Sequence, residues 1–144
     1  MKRKPIDRPI KYLDVFETAL NGDLSSASNQ YEILLPVKEK PSILNDEIIE
    51  RIIRLHEEKN EFIDNYGRQF KLWRKEKLTF AQSATLENLE RKLPQLKEVN
   101  DKVLEMAYQI RPYTIEKIMA MNPEELALFH LSGKFKSSNE QKSK

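Results

Sequence analysis

The sequence predicts an all-α fold: a long antiparallel, coiled-coil-like helical hairpin with short N- and C-terminal helices packed at its open end. Three observations lead there. Apolar residues recur at alternating spacings of three and four over Ile48–Gln69 and again over Leu86–Ile110, the pattern of a heptad seam. A short polar stretch, Arg74–Thr79, separates the two arms and has the length of a helix–helix turn. Only 3 glycines occur in 144 residues, which leaves little room for β-turns or phosphate loops.

The first 37 residues read as four pieces. Residues 1–8 set Lys2, Arg3, Lys4 and Arg8 against Asp7 and are expected to form a basic, flexible arm. Pro9 suits the first turn of a helix. Ile10, Leu13, Phe16 and Leu20 then make a short amphipathic face, and Asn21-Gly22 ends it, giving a helix over 9–21. Gly22–Gln30 is polar and Ser-rich, a loop. Tyr31–Val37 is the one β-like run, but Pro36 argues against a central strand. The expectation is an extended segment laid along the helices through Ile33 and Leu35.

The hairpin occupies 42–111. Ser42 or Asn45 can cap its first arm, with Asp46 and Glu47 in the first turn matching the helix dipole. Ile52, Lys59, Tyr66 and Trp73 take heptad position a in that arm; Ile48, Leu55, Phe62 and Gln69 take d. In the second arm Leu86, Leu93, Asn100 and Ala107 take a, and Leu89, Leu96, Val103 and Ile110 take d. Thr79 and Gln82 have the spacing of a capping box. Antiparallel pairing brings Trp73 to Leu86, Tyr66 to Leu93 and Ile52 to Ala107. It also sets Lys59 opposite Asn100, a candidate register layer that fixes alignment at a cost in stability. Pro94 interrupts the second arm and predicts a kink or two helices in line.

Ile49, Ile63 and Phe70 flank the first seam, and Val99, Leu104 and Met106 the second. A stripe this wide needs further partners. The surplus is greatest at the open end, near Ile48–Ile53 and Val103–Ile110, so the terminal helices should pack there and the turn should project into solvent. Arg111-Pro112 breaks the chain. Thr114 can cap a short helix through Met121, and Asn122-Pro123-Glu124-Glu125 starts another. These terminal helices, over 113–132, complete a single domain of residues 9–133. Residues 134–144 are polar and Lys/Ser-rich, a tail expected to be disordered.

Composition bounds the function without naming it. A third of the residues are charged, yet the net charge is +2, so global charge selects no partner. Without cysteine there is no disulfide framework, thiolate nucleophile or Cys-based zinc site. No apolar run approaches a membrane span, and no hydrophobic signal region follows the basic start; a cytoplasmic protein with no membrane partner is expected. Gly-x-Gly-x-x-Gly, Walker, Gly-x-Ser-x-Gly, Glu-x-x-His and His-Glu-x-x-His motifs are absent. The expectation is a non-enzyme with no cofactor and no metal site.

Two charged constellations compete with that expectation. Arg68, Lys71, Trp73, Arg74, Lys75 and Lys77 cluster at the hairpin turn with only Glu76 opposing, and Phe70 and Phe80 lie among them. Basic groups neutralise phosphates and exposed aromatics stack on bases, so these are candidate nucleic-acid contacts. The competing reading has the lysines solubilise a tip while Trp73, at an a position, closes the seam. The second constellation is acidic: Glu57-Glu58-Lys59-Asn60-Glu61 and, at the same level of the hairpin, Glu98-Val99-Asn100-Asp101. It distantly resembles the all-α nucleoside-triphosphate pyrophosphohydrolases, which use an EExxE and a later ExxD to hold Mg²⁺. The gap between the two motifs is longer here than is usual in that family. The heptad frame also puts these carboxylates off the seam, most of them facing outward.

The leading functional expectation is therefore a non-catalytic helical interaction protein with an adaptor, regulatory or assembly role. It would bind a protein partner or itself through helix faces such as the apolar side of Thr114–Leu131.

Overall fold

The computed structural model describes residues 7–131, and among them no strand occurs. Five helices follow in order: α1 (Leu13–Val37), α2 (Asp46–Arg74), α3 (Phe80–Ile110), α4 (Ile115–Met119) and α5 (Pro123–Leu131). Short 3-10 turns precede α1, α2 and α4. The starts of three helices follow from local chemistry. Asn45 Oδ1 accepts the Ile48 amide at 2.8 Å, so Asn45 rather than Ser42 caps α2. Thr79 and Gln82 form the reciprocal capping box of α3, at 2.9 and 3.1 Å, and Asn122 and Glu125 do the same for α5, at 3.0 and 2.8 Å. Each box satisfies amides that a helix start leaves without partners.

The N-terminal region departs most from expectation. A single helix of 25 residues, α1, replaces the short helix 9–21, the loop and the extended segment. Leu13, Leu20, Ala27 and Leu34 stand seven apart and are all buried. Asn21-Gly22, the serines and Pro36 are poor helix formers, but burial of this stripe outweighs local propensity. Asp7 and Arg8, from the expected arm, are tied to α2: Gln69 and Trp73 both donate to the Arg8 carbonyl, at 3.2 and 2.8 Å. Residues 1–6 of that arm, and the tail 134–144, lie outside the described residues.

The chain divides into two compact units. The first contains the chain up to Asn29 and His56–Asp101. Here the later part of α2 runs antiparallel to the early part of α3, with Arg74 bonded to Ser83 and Glu90 near the turn and His56 bonded to Asn100 at the other extreme. The early part of α1 lies antiparallel to α2. Phe16 packs edge-on to Trp73 with centroids 4.9 Å apart, and Asp23 bonds Lys59 and Tyr66. The turn end of the hairpin is thus covered by the first part of α1 rather than left projecting: residues 10–20, expected at the open end, lie there instead, and only the later part of α1, through Leu34 and Val37, joins the open-end residues.

With a third helix present, the buried face of α2 is wider and rotated. Ile49, His56, Ile63 and Phe70 are buried beside Ile52, Tyr66 and Trp73, while the expected d residues Ile48, Leu55 and Phe62 are exposed. The pairing level survives the rotation: a side chain at Gly67 would meet Leu93, one residue from the expected Tyr66–Leu93 pair. Pro94 lies in one uninterrupted helix. It is on the exposed side, where water can serve the carbonyl that its ring leaves without a donor.

The second unit contains Gln30–Leu55 and the chain from Lys102 onward. Leu34, Val37, Ile49, Ile53, Val103, Ala107 and Ile110 make its core. Polar ties fix α4 to the start of α2: the Ile115 amide donates to the Leu44 carbonyl at 2.8 Å, and Glu116 accepts the Asp46 amide at 2.9 Å. Thr114 does not cap α4 through its side chain. Its hydroxyl donates to Asp46, and that bond, with the Lys117 ammonium, holds the Asp46 carboxyl below its usual range. The Arg111 guanidinium does the same to Glu50.

Candidate functional site

The turn residues do not form one surface. Trp73 is 0 % exposed and its indole N–H is spent on the Arg8 carbonyl, so the tryptophan proposed to stack on bases is core, packed against Phe16 and Phe70. Phe70 is buried too. Arg74 forks onto Glu90. Arg68 pairs with Asp7 at 2.5 Å. Lys71, Lys75 and Lys77 are exposed, and of the aromatic residues there only Phe80 stands out, 93 % exposed.

The candidate register layer is rearranged. Asn100 is fully buried at the level of Lys59, but its partners are the residues on either side. His56 Nδ1 lies 2.6 Å from Asn100 Oδ1, and Asn100 Nδ2 donates to the His56 carbonyl and to Asn60 Oδ1, both at 2.9 Å. With the amide nitrogen so engaged, Oδ1 is the acceptor and the imidazole carries its proton on Nδ1. Burial pushes the His56 pKa down, against the Asn100 hydrogen bond, and the Lys59 charge pushes it the same way. Lys59 turns to α1, where its ammonium lies 3.1 Å from Asp23 Oδ1. The Tyr66 hydroxyl donates to the other oxygen of that carboxylate at 3.0 Å, and burial together with Asp23 raises the phenol pKa far above its ordinary value. Sequence reasoning missed Asp23 because it stood in a stretch read as loop. Its position, three residues after Leu20 and four before Ala27, was the available signal.

The acidic motifs do not assemble. Among the described residues no three His, Asp or Glu side chains converge on a point that could hold a metal ion. Glu57, Glu58, Glu98 and Asp101 are exposed, and Asp101 pairs with Lys97 on its own helix at 3.0 Å.

Two surfaces carry binding features. In the second unit, α5 is apolar along most of its length, yet only Phe129 is buried, its ring tilted by 32° against Tyr113 with centroids 5.0 Å apart. Leu128 and Leu131 are 68 % and 81 % exposed, and Met119 on α4 is 78 % exposed. Ile118, Pro123, Leu126, Ala127, Phe129 and His130 line an apolar hollow of about 580 Å³ beside them. In the first unit, α2 and α3 leave an open groove of about 460 Å³ with Leu93 and Pro94 on one wall and Ile63 and Gly67 on the other. Comparison with protein-family models, with curated proteins and with solved structures found no match.

Proposed function

We propose that this chain is a non-catalytic helical interaction protein, acting through the apolar surface of α4 and α5 on a protein partner or on a second copy of itself. The observation that supports this reading is the exposure of Met119, Leu128 and Leu131 beside the apolar hollow. A helix apolar on most sides belongs against other apolar surface, and contiguous apolar patches on a soluble surface mark interaction sites. Apart from His130 the residues that line the hollow are apolar, which favours burial of apolar surface.

Light scattering on the wild type and on Leu128→Glu with Leu131→Glu tests it, together with binding of an apolar dye. A mass above the monomer, or dye fluorescence, that the double substitution removes is the expected result. A monomer that binds no dye overturns the reading.

A second reading, nucleic-acid contact, keeps one specific support: Phe80 stands exposed beside Lys75 and Lys77 at the turn. Binding of single-stranded nucleic acid that falls steeply with salt and disappears in Phe80→Ala would favour it; no binding at low salt removes it.

A further inference from the structure

The Asn21-Gly22 step, which local propensity reads as a helix end, lies inside α1 and is the one Asn-Gly pair in the chain. Such a pair carries its own chemistry, because glycine has no side chain to keep its amide nitrogen away from the preceding carboxamide. The Gly22 nitrogen attacks Asn21 Cγ. The N–Cγ bond forms, the Cγ–Nδ2 bond breaks, and the amide proton leaves with the departing nitrogen as ammonia. Water then opens the resulting succinimide at either carbonyl. Opening at Cγ gives an ordinary aspartyl residue. Opening at the main-chain carbonyl gives an isoaspartyl residue, whose main chain runs through Cβ and Cγ.

The local structure decides when this reaction runs. Access of water does not limit it: Gly22 is exposed, and a Cβ built on it meets no atom within 4 Å. Conformation does. Inside an α-helix the Gly22 amide N–H is committed to the carbonyl four residues back, so the nitrogen neither sheds its proton nor turns toward Cγ. The Asn21 carboxamide is held as well, its Oδ1 accepting from Lys92 of α3 at 2.8 Å. Against these restraints, asparagine and glycine are both poor helix formers, which draws this part of α1 toward local opening.

We propose that Asn21-Gly22 is a modification site gated by the order of α1, shut in the folded helix and converted through the succinimide to aspartate and isoaspartate when that part of α1 opens. This goes beyond the binding reading and does not depend on it. The two products part on refolding. The ordinary aspartate keeps the main chain intact and places a carboxylate where Lys92 already donates, so α1 re-forms. The isoaspartate adds a carbon to the main chain between Leu20 and Ala27, both fully buried. The apolar stripe loses its phase there, and Asp23 is carried away from Lys59 and Tyr66. An opening that was reversible becomes permanent in those chains.

The test holds the full chain at neutral pH in buffer and at rising guanidinium concentrations. Peptide mass mapping follows the Asn21-Gly22 peptide, with fragmentation that separates aspartate from isoaspartate. Unfolding is followed in parallel by the fluorescence of Trp73, the one tryptophan in the chain, which packs against Phe16 of α1. Conversion should be at least about tenfold slower in buffer than in full denaturant, and should rise in step with the fluorescence transition. Leu13→Ala, which removes a buried side chain of α1 away from the motif, should convert faster than wild type in buffer and at the same rate in denaturant. Gly22→Ala should convert slowly in both. After dilution from denaturant, chains with aspartate should regain the native Trp73 emission and chains with isoaspartate should not. A rate that stays flat across the transition, a Leu13→Ala chain that converts no faster than wild type in buffer, or isoaspartate chains with native emission overturn the proposal.

Discussion

His56 and Asn100 form the most deeply buried polar pair in the first unit, a histidine 1 % exposed with Nδ1 2.6 Å from an amide oxygen that is itself fully buried. Burial favours the neutral imidazole here, although the Asn100 hydrogen bond opposes it. Because burial holds the folded-state pKa below the ordinary 6.5, the unfolded chain takes up the proton first as pH falls. The contribution of His56 is therefore complete above pH 6.5 and declines as pH drops through 6.5 towards the lower folded value. Urea midpoints measured between neutral and mildly acidic pH should fall in the wild type and fall less in His56→Gln. Parallel profiles for the two proteins would refute the assignment.

Asp23 serves two partners, Lys59 and Tyr66, from the middle of α1. Removing it in Asp23→Ala leaves a lysine whose side chain is only 15 % exposed without its counter-charge. A loss of about 1–3 kcal/mol is expected in chemical denaturation. Combined with Lys59→Met, which removes that stranded charge, the loss should be smaller than the sum of the two single changes. Additive losses would mean that the two side chains are not coupled.

Gly22 sits within α1, and a Cβ placed there meets no atom within 4 Å. Gly22→Ala should raise stability by about 0.5–1 kcal/mol through the unfolded-state entropy and helix propensity alone. Destabilisation by this change would place residue 22 outside a helix.

The rotation of α2 separates residues that periodicity treats alike. Leu96→Ala removes a side chain 1 % exposed and should cost about 2–5 kcal/mol. Leu55→Ala, at an exposed position, should stay within about 0.5 kcal/mol of wild type. Equal losses would restore the unrotated seam.

The hairpin was legible because its signals are local: heptad spacing, the turn and the Thr79–Gln82 box are read within a few residues of each other. The class of the fold, both arms and the two short C-terminal helices came from such signals. The course of α1 was not legible in the same way. Leu13, Leu20, Ala27 and Leu34 keep perfect sevenfold spacing, but Asn21-Gly22, the serines and Pro36 are local votes against a helix, and the packing that overrides them is supplied by residues some forty positions away. The same omission displaced the sites. Without a third helix, Trp73 looked available at a tip, Lys59 had no acid to find, and Ile48, Leu55 and Phe62 passed for core. The groove on α2 and α3 was hidden for a different reason: Pro94 read only as a break in a helix and Gly67 drew no reading at all, and only the folded chain shows that they border one open space.

The composition of α1 has a consequence for the order in which the molecule acquires its structure. Its first half leaves the ribosome before α2 and α3, yet it lacks the local propensity to hold a helix until Tyr66, Trp73 and Lys59 are in place to receive it. A segment synthesised before the hairpin is thus organised after it, and its apolar stripe waits exposed until the hairpin closes. Slow translation through α2 and α3 would lengthen that interval, and with it the time for which the stripe is open to aggregation.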